Sequence, residues 1–213
     1  MTRFLRFFFW HFYHGFAWTY DTVAAVVSIG RWNDWINCVL PYVKGRRVLE
    51  IGHGPGHLQT SLHQDETRLL VGLDESPQMG RLARSRLLKA GHARINLTRG
   101  VAQVLPFKSG SFDDVVSTFP AEYIFESATL YEVRRVLADG GRFIVLPAAW
   151  ILGRKVMDRT AAWLFRTTHQ APVFPPEVMS RRLQAVFQDA GFKPEFETSE
   201  MRASQVLIVI ART

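Results

Sequence analysis

Cysteine is nearly missing from this chain: Cys38 is the single one among 213 residues. No disulfide framework and no cysteine-rich zinc site can be built from it within one chain, and cytosolic exposure is the simplest reading. Acids are also scarce, 19 Asp and Glu against 26 Lys and Arg, which leaves a net charge of +7 and an isoelectric point near 10. That surplus favours an anionic partner, whether nucleic acid, an anionic membrane face or an acidic substrate, and by itself it does not choose among them. Internal repeats, low-complexity tracts and blocks of like charge are absent. The histidines at 11, 14, 53, 57, 63, 92 and 169 form no ligand set with nearby carboxylates at a recognisable spacing, so no metal is expected.

Aromatic residues are plentiful and unevenly placed. Ten of the 27 fall in the first 20 residues: Phe4, Phe7, Phe8, Phe9, Trp10, Phe12, Tyr13, Phe16, Trp18 and Tyr20. Arg6, His11 and His14 interrupt the stretch and no small-residue cleavage site follows, which argues against a signal peptide. The run before Asp21 is also shorter than the about 18 uninterrupted apolar residues of a membrane span. On a helical wheel Leu5, Phe9, Phe12, Tyr13, Phe16 and Tyr20 share one side, with Arg3, Arg6, His11 and His14 broadly opposite. Two uses fit this pattern: a helix lying in the bilayer interface, or a lid folded over an active site.

A length of 213 residues and 47% hydrophobic content suit one α/β domain with modest additions. The pattern predicts helical residues over 20–42 with a break at Gly30, then strand 47–51, helix 57–64, strand 68–73, helix 77–90, strands 94–99 and 112–118, helix 127–137 and strand 141–146. Helix 176–190 and a hairpin of strands 193–199 and 204–211 complete the chain. Strands alternating with helices imply a parallel, doubly wound sheet. The division expected is an aromatic helical segment over 1–42 and a domain over 43–213. Within that domain an apolar, basic cap is expected over about 148–175, placed after a strand end where it would shape a substrate pocket.

The chemistry concentrates in Val48-Leu49-Glu50-Ile51-Gly52-His53-Gly54-Pro55-Gly56, where a buried strand ends in an acid and alternate glycines. Glycines let a backbone turn sharply and approach a ligand closely, and a helix starting at His57 would aim free N–H groups at the same place. The spacing differs from the Gly-x-Gly-x-x-Gly of dinucleotide sites. The second strand ends at Asp74, a carboxylate placed to accept hydrogen bonds from both hydroxyls of a ribose.

With these residues the chain resembles the class I S-adenosylmethionine-dependent methyltransferases, most closely the small-molecule branch that includes the quinone methyltransferases. Gly100 to Phe107 followed by Ser111 to Val116 is similar to that family's adenine loop and fourth strand, and Leu137 to Phe143 to the turn into its fifth. The resemblance runs from about Val48 to Pro147. It implies a Rossmann-like, seven-stranded sheet with an antiparallel last strand, N-terminal helices, a helical cap insertion, and S-adenosyl-L-methionine as cofactor. It further implies cofactor contacts from Glu50, Gly52, His53, Gly54, Gly56, Asp74, Glu75, Val101, Ala102, Gln103 and Thr118. Tyr20, in a Tyr-Asp pair that resembles one preceding the domain in quinone methyltransferases, would close over the cofactor. Where the family often has an acid, Val101 stands, so the contact with the adenine amino group falls to the backbone of Ala102 or the amide of Gln103.

A sulfonium is already a strong methyl donor, so such an enzyme mainly aligns an acceptor for in-line displacement and excludes water. Candidates beside the transferred methyl are Glu122 and Tyr123, after the fourth strand, with His57 and His169 as candidate bases. Glu122 reads more readily as a dipole-stabilising surface residue opening a helix, and His57 equally as a solvent-facing first-turn residue. Thr118-Phe119-Pro120-Ala121 departs from the Asn/Asp-Pro-Pro-Tyr/Phe of nucleic-acid base methyltransferases. The resulting expectation is methylation of a lipophilic small molecule (a quinone, isoprenoid, phospholipid or pigment precursor) by a cytoplasmic protein, or one peripheral on the inner membrane face. An RNA or protein methyltransferase and a non-catalytic cofactor-binding or membrane-adaptor protein are the alternatives.

Overall fold

A computed structural model describes residues 31–152, 174–201 and 204–213. Seven strands form one sheet: β1 Arg47–Ile51, β2 Leu69–Asp74, β3 Leu97–Arg99, β4 Phe112–Thr118, β5 Leu137–Ile151, β6 Lys193–Met201 and β7 Ser204–Arg212. The helices are α1 Trp32–Asn37, α2 His57–Leu62, α3 Pro77–Lys89, α4 Ser127–Val136 and α5 Pro176–Asp189, with 3-10 turns at Leu40–Tyr42 and Glu122–Phe125. The strand order is β3-β2-β1-β4-β5-β7-β6. All pairs from β3 to β5 are parallel, and β7 runs antiparallel between β5 and β6. The expected doubly wound sheet with an antiparallel last strand is the one found.

Side chains alternate across the strands, so each strand feeds two cores. Leu49, Ile51, Val115, Phe143, Val145, Leu207 and Val209 face α4 and α5, where Leu130, Val133 and Phe187 meet them. On the opposite side Val48, Val116, Ile144, Leu146, Val206 and Ile208 meet Trp35 and Ile36 of α1 and Leu58 and Leu62 of α2. Trp35 is fully buried, and its indole N–H donates to Ser204 Oγ at 2.9 Å, which ties α1 to the start of β7. Residues 20–30 of the expected helical stretch lie outside the described residues, as do the first 19 and most of the cap.

Local chemistry sets the helix ends. Ser76 caps α3 by accepting the Met79 N–H at 3.3 Å, Pro77 opens it with its φ already helical, and Arg86 and Lys89 close its last turn. Gly191, at φ 81°, follows the last residues of α5 in the left-handed conformation that a Cβ disfavours.

The fifth strand differs from its expected bounds of 141–146, extending over Leu137–Ile151. Pro147 has no N–H for the ladder and Gly140 is left-handed at φ 71°, so both ends read as breaks in sequence. Instead the strand bulges: the register with β4 shifts between Phe112 and Asp114, and that with β7 shifts between Val145 and Ala148. Positions 148–151, expected to begin the cap, are thus sheet, while 153–173 lie outside the described residues.

Candidate active site

In an open parallel sheet, ligands bind beyond the carboxyl ends of the strands where the chain reverses its order, here between β1 and β4. The loop leaving β1 has left-handed glycines at Gly52, Gly54 and Gly56, with φ of 72°, 52° and 85°. The Gly52 N–H donates to the Leu73 carbonyl at 2.8 Å, and the Gly56 N–H to the His53 carbonyl at 3.0 Å. Asp74, at the end of β2, accepts the Gly54 N–H at 2.9 Å on one carboxylate oxygen and the Ser76 N–H at 2.8 Å on the other. One side chain therefore ties the glycine loop to the start of α3. Each of its oxygens keeps a further lone pair for a ligand hydroxyl.

A Cβ at Gly54 would meet nothing within 4 Å, so the middle of the loop faces open space. At Gly56 a Cβ would stand 2.8 Å from the Ala83 Cβ, which lets α3 pack directly on the loop. The cradle therefore fits a ligand resting on bare backbone with hydroxyls turned toward Asp74.

Glu50 and His53 lie beneath that surface, 2% and 4% exposed. Glu50 Oε2 accepts Gln59 Nε2 at 2.8 Å, and burial, with Asp74 adding to it, weakens the acid and pushes its pKa up to about 8. His53 places Nδ1 2.7 Å from the Gly54 carbonyl oxygen and its ring against Gly72, while burial lowers its basicity. His57 opens α2 and is half-buried.

The remaining expected residues fall around the same crevice. Glu75 is exposed, and its carbonyl accepts from Arg99 Nε at 3.0 Å. After β3, Val101 is exposed, Ala102 is buried, and Gln103 donates its amide to Glu126 Oε2 at 2.9 Å. Thr118 ends β4, and beside it Ser117 Oγ donates to the Ile51 carbonyl at 2.8 Å, locking β4 to β1. Glu122 is exposed at the start of its 3-10 turn. Tyr123, in contrast, turns inward, its hydroxyl 2.8 Å from the place of a Cβ on Gly52. Burial, then the Asp74 and Glu75 carboxylates, push the phenol up to about 12. Tyr20 and His169 lie outside the described residues. Among the described residues no group of three or more His, Cys, Asp or Glu is placed to hold a metal ion.

Sequence reading missed Phe119 and Gln59. Phe119 has φ 46°, the one non-glycine residue with positive φ among the described residues, and its ring stacks on Trp32 at 4.6 Å and lies 6.0 Å from Trp35. Such strain concentrates at functional sites, and this residue directly follows β4. Gln59 could have been noticed as an amide between the apolar Leu58 and Leu62 on the buried side of α2.

A sheet parallel from β3 to β5, with a glycine loop after β1 and a carboxylate at the end of β2, is the arrangement of nucleotide-binding α/β folds. Residues 48–141 match the family described as a methyltransferase domain. The chain is 27% identical over 204 residues to a demethylmenaquinone methyltransferase of Symbiobacterium thermophilum, covering 83% of this chain and 81% of the relative. It is 30% identical over 142 residues to a ubiquinone/menaquinone biosynthesis C-methyltransferase of Haemophilus ducreyi, covering 63% of this chain and 54% of that relative. A SAM-dependent methyltransferase of Aquifex aeolicus shares the fold with a TM-score of 0.65 at 16% identity, covering 90% of this chain and 97% of that structure. The matched domain and these relatives make the chain an S-adenosylmethionine-dependent methyltransferase, with S-adenosylmethionine as its cofactor.

Proposed function

We propose that this methyltransferase methylates a lipophilic small molecule, a quinone, isoprenoid, phospholipid or pigment precursor, at a membrane surface. The observation that carries the reading is the similarity, along 83% of the chain, to a protein named for demethylmenaquinone methylation. The apolar character of the β4 side agrees with it, since Phe119 and Trp32 stack at 4.6 Å where an acceptor would approach.

In this reading the 101–103 backbone and Gln103 flank the adenine, Asp74 takes the ribose hydroxyls, Glu75 and Thr118 border the cleft, and Glu50 supports the loop under the methionine end. When bound, S-adenosylmethionine supplies a methyl carbon that an acceptor attacks in line as the carbon–sulfur bond breaks. The protein's part is alignment and exclusion of water. Tyr123 holds its proton at neutral pH and is therefore no base. Proton removal from the acceptor falls to His57, Glu122 or His169, or to an acceptor that arrives already ionised.

The test incubates the protein and methyl-labelled S-adenosylmethionine with extract of the source cells and separates organic-phase lipids from aqueous nucleic acid and protein. Label in the organic phase supports the reading. Label confined to the aqueous phase overturns it in favour of an RNA or protein acceptor, toward which the net charge of +7 would then point.

A further inference from the structure

Residues 76–112 hold seven cations, Arg81, Arg84, Arg86, Lys89, Arg94, Arg99 and Lys108, and not one acid. The other 19 Lys and Arg are matched by all 19 Asp and Glu, so this stretch accounts for the whole net charge of +7. The cations are spaced too widely to read as a charge block, and it is the fold that gathers them: the stretch is α3, the strand β3 and the connection to β4. β3 is one edge of the sheet, and the other edge, β6, carries exposed Glu195, Glu197 and Glu200 against the single cation Lys193. The domain is therefore electrically polar along its sheet, positive at the α3–β3 edge and negative at the far one.

We propose that the outer face of α3, formed by Arg81, Arg84, Leu88 and Lys89, docks the protein on an anionic lipid bilayer. The choice of a bilayer among polyanions rests on the lipophilic-acceptor reading above; the basic face does not.

Helical spacing sorts α3 into two faces. Met79, Ala83 and Leu87 are buried, and Ala83 meets the glycine loop at Gly56. Arg81, Arg84, Leu88 and Lys89 are exposed on the other side, Leu88 to 55%. Arg86 is not part of this face, being half-buried with its guanidinium on the Pro55 carbonyl. Beyond Lys89 the face ends at a cleft where Arg68 and Arg94 mix with Asp65 and Glu66. Cations at headgroup depth around a leucine that enters the acyl boundary are the composition of interfacial helices. Nucleic acid fits this face less well. A single strand is held by aromatic stacking, and the aromatic residues of 76–112, Phe107 and Phe112, pack edge to face on each other in the core. Because the Ser76 N–H, just before α3, donates to the Asp74 carboxylate, a bilayer on this face lies beside the rim of the donor cleft. The aromatic first residues would supply a second signal, and stable peripheral binding commonly takes two.

The test uses the full chain, a variant Arg81→Gln, Arg84→Gln and Lys89→Gln, and a charge-matched control Lys44→Gln, Arg181→Gln and Lys193→Gln, whose exposed cations lie off this face. Each is sedimented with vesicles of phosphatidylcholine, with and without an equal part of phosphatidylglycerol, and titrated with a single-stranded RNA. The α3 variant should partition onto anionic vesicles roughly 10- to 100-fold more weakly than wild type, and the control within about 3-fold of it. S-adenosylmethionine affinity and the unfolding midpoint should not change in either. Wild type that ignores anionic vesicles, or equal losses in both variants, would overturn the proposal. RNA binding that the α3 variant loses while vesicle binding stays would overturn it in favour of nucleic acid. Label in the organic phase of the extract experiment without vesicle binding would remove the docking face and leave the lipophilic acceptor standing, whereas label confined to the aqueous phase removes the reading on which the bilayer was chosen.

Discussion

Glu50 Oε2 accepts a hydrogen bond from Gln59 Nε2 at 2.8 Å under a glycine loop that leaves the acid 2% exposed. Burial dominates the amide's help, so the acid titrates at about 8 instead of 4.5, with the Asp74 carboxylate acting in the same direction. Between those values the folded protein holds a proton that the unfolded chain has released. Stability contributed by this site is therefore greatest in acid and falls as pH rises through the window.

Glu50→Gln keeps the shape and the hydrogen bond while removing the titration. The unfolding midpoints of wild type and variant should nearly coincide near pH 5 and diverge by pH 9, with the variant more stable by roughly 2–4 kcal/mol. Scanning calorimetry at both pH values checks this, and a constant difference between them would contradict it.

Gly54 and Gly56 are two residues apart with opposite surroundings. Gly56→Ala places a Cβ 2.9 Å from the Ala83 Cα with φ at 85°, so strain and overpacking together should cost roughly 2–4 kcal/mol of stability. Gly54→Arg projects into open space at φ 52°, and the backbone term alone should cost about 1–2 kcal/mol. The second variant should fold yet fail to bind S-adenosylmethionine, measured by calorimetric titration, because its side chain fills the surface on which the ligand rests.

Asp114 is fully buried and accepts four donors: the Lys44 and Gly45 N–H groups at 2.8 and 2.6 Å, and Arg142 Nε and Nη2 at 2.8 and 2.9 Å. It joins the chain entering β1 to β4 and β5 at the end of the sheet away from the glycine loop. Removing one partner of a buried pair leaves the other uncompensated, so Asp114→Ala should lose roughly 3–5 kcal/mol in urea unfolding. Exposed Asp139 offers the contrast, and its alanine variant should lose little.

These clusters also mark where sequence reading stops. The strands through β4 were legible because apolar runs such as Val48 to Ile51 end in turn residues, and the last hairpin because two β-rich stretches flank a polar turn. The glycine loop and Asp74 were legible by spacing. Asp113-Asp114 reads only as a polar strand opening, since the donors that explain it come from residues 44–47 and 142, far apart in the chain. The left-handed Phe119 is likewise invisible, because its own side chain disfavours that conformation and the compensation comes from Trp32, Trp35 and Leu146. Pro147 misled by a local rule that a bulge circumvents.

Membrane contact turns on a stretch whose chemistry is plain from sequence. Aromatic rings and flanking arginines suit the headgroup region, where the rings lie at the boundary and the cations reach phosphates. No helix among the described residues is long and apolar enough to cross a bilayer. Deleting residues 1–18 stops short of Tyr20 and leaves the chain of Asp74 and the glycine loop intact. Sedimentation with anionic liposomes should therefore be lost while S-adenosylmethionine affinity stays within about 2-fold, well under the roughly 1.4 kcal/mol of a tenfold change. Unchanged sedimentation would leave the aromatic stretch as a lid, and retained sedimentation that disappears in high salt would assign membrane attraction to the basic surface of the domain.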